Sequence, residues 1–506
     1  MKRVLSVFIF LLFFAGVVRC AMPIEQENLR FHSRCMGMDV GYSIVLPADY
    51  ASSGKMYPVV YLLHGIGGDN STWIEYADIA RLTAKAEMQA IYVMPDGFQS
   101  YYCNSFDSSQ KYETFLIDEL VPYIEKNYPV SKQKCNKAVI GFSMGGFGAL
   151  SLYLRHSDSF AACVALSPSI RTDAQYVSER PQQEWNWQWG RIFGGIGKEG
   201  NDRITDYYRL MSPCHILKSM PKSKLKSLHL RIDVGDKEGT LLDSNEELHR
   251  LLLDRDVNHE WTVRSGGHDF DCWNAAMPEA LEFVARELGL CSKGDSNRDT
   301  ELSNVSFKEY SFGGCKMFVP QRNSGSLRRY PVVYLYSNAD DNFRKDFLAE
   351  LAGLTGKGLC RPMAVCFVSE GVTVSEAVAM AENDDTKRLL RGSQRMRAFV
   401  GFGNAADMFF ESLNKENYFT AAVLIDASLA MPADSAAMYV KSCLRYPRCF
   451  FSTQASWHGY PCPSLLHSAF RRLSLSHEFR SKNYSDKYHR EEWKEWISYL
   501  DNRFHI

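Results

Sequence analysis

The sequence predicts an α/β architecture present in two copies, and three observations predict it. Short apolar runs at residues 59–63, 90–94, 137–140 and 163–166 alternate with longer helix-like stretches, the pattern of a mostly parallel sheet covered by helices on both faces. The hexapeptide Tyr-Pro-Val-Val-Tyr-Leu occurs at 57–62 and again at 330–335, a repeat whose period is far too long for a solenoid. The chain has 506 residues, 45% of them hydrophobic and 23% charged, which is too long for one ordinary core and too apolar for a disordered chain. With 58 basic and 59 acidic residues the formal charge is −1, so electrostatics make no case for nucleic acid or an anionic membrane as the main partner.

Taken in order, Lys2 and Arg3 precede an apolar stretch over 4–18, the charged and apolar regions of an export signal. That stretch is short of the roughly twenty residues a membrane span needs. Residues 1–20 are therefore expected to be a signal peptide cleaved after Cys20, and the protein to be secreted or held in the periplasm or cell envelope. None of the 14 cysteines forms a CxxC pair or a zinc-like cluster, so no metal is expected.

The repeat extends beyond the hexapeptide. Residues 93–97 match 367–371, 138–142 match 398–402, and 160–164 match 419–423. The polar segment 292–304 reads as a linker. This divides the chain into residues 21–291 and 305–506, the second copy being the smaller.

The chemistry sits in the first copy. Gly141-Phe142-Ser143-Met144-Gly145-Gly146 follows an apolar strand and opens an apolar helical stretch. Such a tight strand-to-helix corner projects a serine hydroxyl above the sheet and leaves the next backbone amide, that of Met144, facing a developing oxyanion. His64-Gly65-Ile66-Gly67-Gly68 follows the first repeat strand, at the carboxyl edge where such sheets bind ligands. Small residues there let the backbone approach a substrate oxygen, and Ile66 N–H is the expected second donor. His268, in a Gly-Gly-His loop after a strand-like segment over 260–264, is placed to shuttle the proton of Ser143. The orienting acid comes from Asp233, Asp236 or Glu238 around one strand end. Asp233 precedes the glycine and reads as still on the strand, which leaves Glu238 and Asp236.

Together these residues resemble the esterase D-like α/β-hydrolases, a group that includes S-formylglutathione hydrolases, feruloyl and other carbohydrate esterases and mycolyltransferases. The resemblance covers about residues 33 to 287, through Leu46-Pro47, His64-Gly65, Met94-Pro95-Asp96-Gly97, the Ser143 corner, Ile232-Asp233-Val234-Gly235 and Gly266-Gly267-His268-Asp269 with Trp273. It implies an α/β-hydrolase fold and a serine carboxylesterase that needs no cofactor. The family's acid is usually an aspartate three residues after the glycine, where this chain has Glu238, one methylene longer. The resemblance also brings His64, Gly65, Tyr101, Tyr102 and Trp273 to the substrate cleft. Trp185, Trp187 and Trp189, in a long insertion, either line an acyl or sugar subsite or staple the insertion to the core.

The second copy has Gly403 where the first has Ser143, Ser337-Asn338-Ala339-Asp340-Asp341 in place of the glycine loop, and only His489 near the place of His268. A non-catalytic hydrolase-like unit is expected, one that packs on the first copy, shapes its cleft, or binds a glycan or protein. For the whole chain the expectation is hydrolysis of acyl esters, with acetyl or feruloyl esters on polysaccharide as candidate substrates. The alternatives are acyl transfer to a sugar or lipid acceptor, or a glycan-binding scaffold with a relict site.

Overall fold

The computed structural model describes residues 23–85, 88–288, 305–321, 329–337, 340–357, 359–443, 447–454, 462–482 and 489–504. The expected signal peptide and linker lie outside the described residues. The strands of the first half are β1 (Ile24–Ser33), β2 (Met38–Leu46), β3 (Val59–Leu63), β4 (Ile91–Pro95), β5 (Lys137–Phe142), β6 (Ala162–Leu166), β7 (Leu230–Gly235) and β8 (His259–Arg264). Those of the second are β9 (Ser306–Phe312), β10 (Cys315–Gln321), β11 (Val332–Tyr336), β12 (Ala364–Val368), β13 (Arg397–Phe402), β14 (Ala421–Ile425), β15 (Arg448–Gln454) and β16 (His477–Lys482).

In the first half the order is β1-β2-β4-β3-β5-β6-β7-β8, and from the far edge inward the second half runs β9-β10-β12-β11-β13-β14-β15-β16. The two orders are the same. Strands β3 to β8 pair in parallel, while β1 and β2 are antiparallel additions at the outer edge. The continuous apolar runs are explained by alternation across a sheet buried on both sides. On β3, Val59, Tyr61 and Leu63 enter one apolar cluster, and Val60 and Leu62 enter the other.

The halves do not merely abut. Edge strands β8 and β16 pair antiparallel, with Phe479 opposite Val263, Arg480 opposite Thr262 and Ser481 opposite Trp261, so the described residues form one 16-stranded sheet. A buried ionic network crosses this seam. Arg264 donates to both carboxylate oxygens of Asp233 at 2.6 Å, and Arg480 from the second half reaches Glu279 at 3.0 Å. Burial opposes ionisation of Glu279, but Arg480, Arg264 and Arg231 together hold its carboxyl far below the usual range.

The insertion between β6 and β7 is helical. Trp185 and Trp189 are four residues apart, share its inner face and are fully or almost fully buried, whereas Trp187 between them points outward with half its surface exposed. Trp185 and Trp189 therefore staple the insertion to the core. Trp185 Nε1–H donates to Tyr176 O at 2.8 Å, and Trp189 Nε1–H to the Tyr101 hydroxyl at 3.0 Å. Among the described residues, no helix is long and apolar enough to cross a membrane.

Candidate active site

Ser143 sits at the corner between β5 and the helix Met144–Arg155 with φ 56° and ψ −119°. This is a strained conformation for a residue with a side chain, and it is held by its surroundings. Ser143 N–H donates to Leu166 O at 2.9 Å, which ties the corner to β6. Gly145 shows why the sequence must be glycine behind the serine, since a Cβ there would lie 2.1 Å from Leu63 O. The helix can approach β3 only without that carbon.

The corner delivers the hydroxyl to a histidine. Ser143 Oγ lies 2.8 Å from His268 Nε2, and His268 Nδ1 lies 2.8 Å from Glu238 Oε2. An ionised carboxylate only accepts, so Nδ1 carries the ring proton and Nε2 is free to accept from the serine. The Glu238 side chain is wholly buried and that of His268 is 34% exposed, so the acid is shielded while the base reaches the cleft. The other oxygen of Glu238, Oε1, accepts from Gly235 N–H at 2.7 Å and from the Ser167 hydroxyl at 2.5 Å. Of the two candidate acids, Glu238 is the one in contact with the imidazole. Asp236 faces elsewhere, accepting from Gly266 N–H at 3.0 Å and from Ser476 Oγ of the second half at 3.1 Å. Asp233 lies on β7, bound to Arg264.

The two amides expected to face an oxyanion are those of Met144 and Ile66. Met144 is the first residue of its helix, so its N–H belongs to the first-turn donors that lack an acceptor within the helix. The Met144 side chain is fully buried, leaving only the amide for such a role. The Gly65–Gly68 loop lies directly against the corner, since a Cβ on Gly65 would meet the Phe142 ring at 2.7 Å and Ser143 Cβ at 3.2 Å. Ile66 is exposed to the cleft.

Three residues expected at the substrate lie behind the cleft instead, because their polar groups are committed to the backbone and core. His64 is completely buried. Its Nδ1–H donates to Gly65 O at 2.7 Å and its Nε2 accepts from Gly97 N–H at 2.7 Å, fixing the glycine loop from below. Tyr102, also buried, donates to His64 O at 3.0 Å. The buried Tyr101 hydroxyl accepts from Gln188 and Trp189. Gly65 and Trp273 do line the cleft, a cavity of about 420 Å³ that also exposes Ile66, Asp69, Glu75 and a stacked Tyr76–Phe270 pair with ring centroids 5.0 Å apart. Ser167 was missed by the sequence reading. The signal available was its place just after the apolar run 163–166, at the carboxyl end of a parallel strand.

The second half keeps the corner with Gly403 in place of the serine. Gly403 has φ 56°, and its N–H donates to Ile425 O at 2.9 Å, as Ser143 does to Leu166. Asp426 occupies the position of Ser167, with φ 45° against 44°. His489 is buried between Asp426 Oδ2 at 3.0 Å and Ser452 Oγ at 2.7 Å. Its imidazole thus bridges the buried Ser452 and the partly exposed Asp426 and is itself buried.

Comparison with known proteins adds four findings. Residues 33–284 match the family model described as "Putative esterase". An esterase of Mycobacterium tuberculosis is 40% identical over 151 residues, spanning 28% of this chain and 33% of that protein. An acetyl esterase of Caldicellulosiruptor saccharolyticus is 23% identical over 279 residues, spanning 52% of this chain and 99% of the relative. The chain thus spans about a third of the length of the mycobacterial esterase it matches. Among solved structures, a ferulic acid esterase aligns with a TM-score of 0.44 and 28% identity over 53% of this chain and 98% of its own.

Proposed function

Residues 33–284 belong to the esterase family, and from that premise we propose that the chain is an exported serine carboxylesterase whose nucleophile is Ser143. The observation that carries the reading is the continuous path from Ser143 Oγ through His268 to the buried Glu238, each step 2.8 Å long. His268 Nε2 takes the hydroxyl proton as Ser143 Oγ attacks the ester carbonyl. The tetrahedral oxyanion is met by the N–H groups of Ile66 and Met144, and Glu238 stabilises the imidazolium. That imidazolium then protonates the departing alcohol, and water repeats the sequence to release the acid. The chemistry draws on no metal or organic cofactor.

The cleft and the relatives support one substrate class. The stacked Tyr76–Phe270 pair beside Ser143 offers a flat face to a sugar or aryl ring. One relative is named an acetyl esterase. Acetyl or feruloyl esters on an extracellular polysaccharide fit both features. Residues 1–20 act as the export signal, residues 21–291 as the catalytic unit, 292–304 as a linker, and 305–506 as a duplicated unit without a nucleophile, whose described strands extend the catalytic sheet.

Labelling with a fluorophosphonate probe, followed by turnover of p-nitrophenyl acetate, acetylated xylan and methyl ferulate, tests the reading. The wild type is expected to label and to turn over at least one ester. Ser143→Ala is expected to lose labelling and at least about 10⁴-fold in kcat. Equal labelling of the two proteins overturns it.

A further inference from the structure

The acid end of the catalytic chain holds a second serine that the mechanism above does not use. Ser167 follows β6 with φ 44°, is almost fully buried, and its N–H donates to Asp233 O at 2.6 Å. Its hydroxyl touches two groups, Glu238 Oε1 at 2.5 Å and Trp273 Nε1 at 2.9 Å. An indole N–H can only donate, so Trp273 occupies a lone pair of Ser167 Oγ and leaves the single hydroxyl proton for Glu238. Trp273 is itself fixed, stacked on Phe142 at 4.4 Å and set edge-on to the His268 ring at 5.1 Å. The other carboxylates of this corner are engaged elsewhere, Asp236 with Gly266 N–H and Asp269 with Cys272 N–H.

We infer that Ser167, oriented by Trp273, is a positioning residue that pins one oxygen of Glu238 so that the other meets His268. The inference rests on the reading of Ser143, His268 and Glu238 as the catalytic chain. Its physical basis is the extra methylene of a glutamate, which adds a rotatable bond to the acid. Gly235 N–H alone fixes Oε1 from one side, and Ser167 closes the other. The second half provides a contrast. Asp426, at the same position and backbone angle, bears an acceptor where Glu238 needs a donor, and there a histidine binds it instead.

Steady-state kinetics on an aryl acetate between pH 5 and 9 test this with Ser167→Ala, Trp273→Phe and the double variant. Ser167→Ala is expected to lower kcat about tenfold with little change in KM. The acidic limb of kcat/KM is expected to move to higher pH, because Glu238 loses a neutralising hydrogen bond and attracts the His268 proton more strongly. Trp273→Phe keeps an aromatic ring against Phe142 and removes the N–H together with the second ring of the indole, so a smaller shift in the same direction is expected even if Ser167→Ala folds poorly. The double variant is expected to resemble Ser167→Ala, since the two residues act through one proton. Ser167→Asp is expected to be worse than Ser167→Ala, because it sets a like charge against Glu238. An active wild type whose single variants keep the wild-type pH profile, or whose losses simply add, overturns the role of Ser167. A wild type that neither labels with fluorophosphonate nor turns over ester overturns the catalytic reading instead.

Discussion

At the residue scale, the proposed mechanism rests on Glu238 and not on the aspartate two positions before it. Both carboxylates accept a backbone N–H, but only Glu238 reaches the imidazole. Glu238→Gln can present an amide N–H to His268 and favour the wrong tautomer, so kcat is expected to fall by about 10³- to 10⁴-fold. Asp236→Asn retains an oxygen that can accept from Gly266 N–H, so a loss of less than about fivefold is expected. Parallel measurement of kcat for the two variants on an aryl acetate checks this, and a crippled Asp236→Asn beside an active Glu238→Gln reverses the assignment. Ser143 and His268 were legible in the sequence because each stands in a glycine-rich corner, and the glycines declare backbone geometry. The direction of His64, Tyr101 and Tyr102 was not legible. Whether a ring beside a cleft turns into it or under it depends on distant acceptors such as Gly97 N–H and Trp189 Nε1–H.

At the element scale, the strand-to-helix corner is a backbone device separable from its nucleophile. Ser143 and Gly403 share φ 56° and the same hydrogen bond to the neighbouring strand. A Cβ at Gly403 meets nothing within 4 Å, and Ser143 holds a side chain at the same φ of 56°, so Gly403→Ser is expected to fold with some backbone strain. It is nevertheless expected to add no turnover in a Ser143→Ala background, because the nearby His489 is buried against Asp426 and Ser452. A measurable rate in that double variant contradicts this account. Gly145→Ala makes the opposite case. Its Cβ would fall 2.1 Å from Leu63 O, so the helix or β3 must move, with a destabilisation expected on the order of 3 kcal/mol and a loss of ester turnover. Denaturant unfolding of the purified variant measures the first, and an unchanged midpoint removes the argument. The strands themselves were readable as apolar runs. The pairing of β8 with β16 was not, because edges join through backbone groups that every residue carries.

At the scale of the whole molecule, the seam between the halves sets an acid limit on stability. Two buried histidine pairs flank it, His249 Nδ1 with His259 Nε2 at 2.7 Å and His467 Nδ1 with His477 Nε2 at 2.6 Å. In each pair the strand histidine donates its own Nδ1–H to a backbone carbonyl, of Val257 or Leu475, and so must accept at Nε2 as a neutral ring. Burial pushes His259 down to about 4 and His477 to about 3, and burial with the neighbouring His259 pushes His249 well below its ordinary value. Below the unfolded value near 6.5 the unfolded chain binds protons that these folded rings refuse, so stability falls as pH falls through that window. Each ring contributes a loss of about 2 kcal/mol between pH 7 and pH 5. Glu495 works in the other direction. Burial, with Glu279 nearby, raises it to about 8, so acidification over the same interval favours the folded state by a similar amount and offsets roughly one histidine. The carboxylates held low by arginines, such as Glu279 and Glu260, begin to matter only below about pH 4.5. The three lowered histidines less the Glu495 offset leave an expected net loss of about 4 kcal/mol from pH 7 to pH 5, read as a fall in the urea midpoint. In His259→Gln the side-chain oxygen can still accept from His249 but cannot titrate, so the loss is expected to shrink by about 2 kcal/mol. An undiminished loss in that variant places the acid sensitivity outside the histidine pairs.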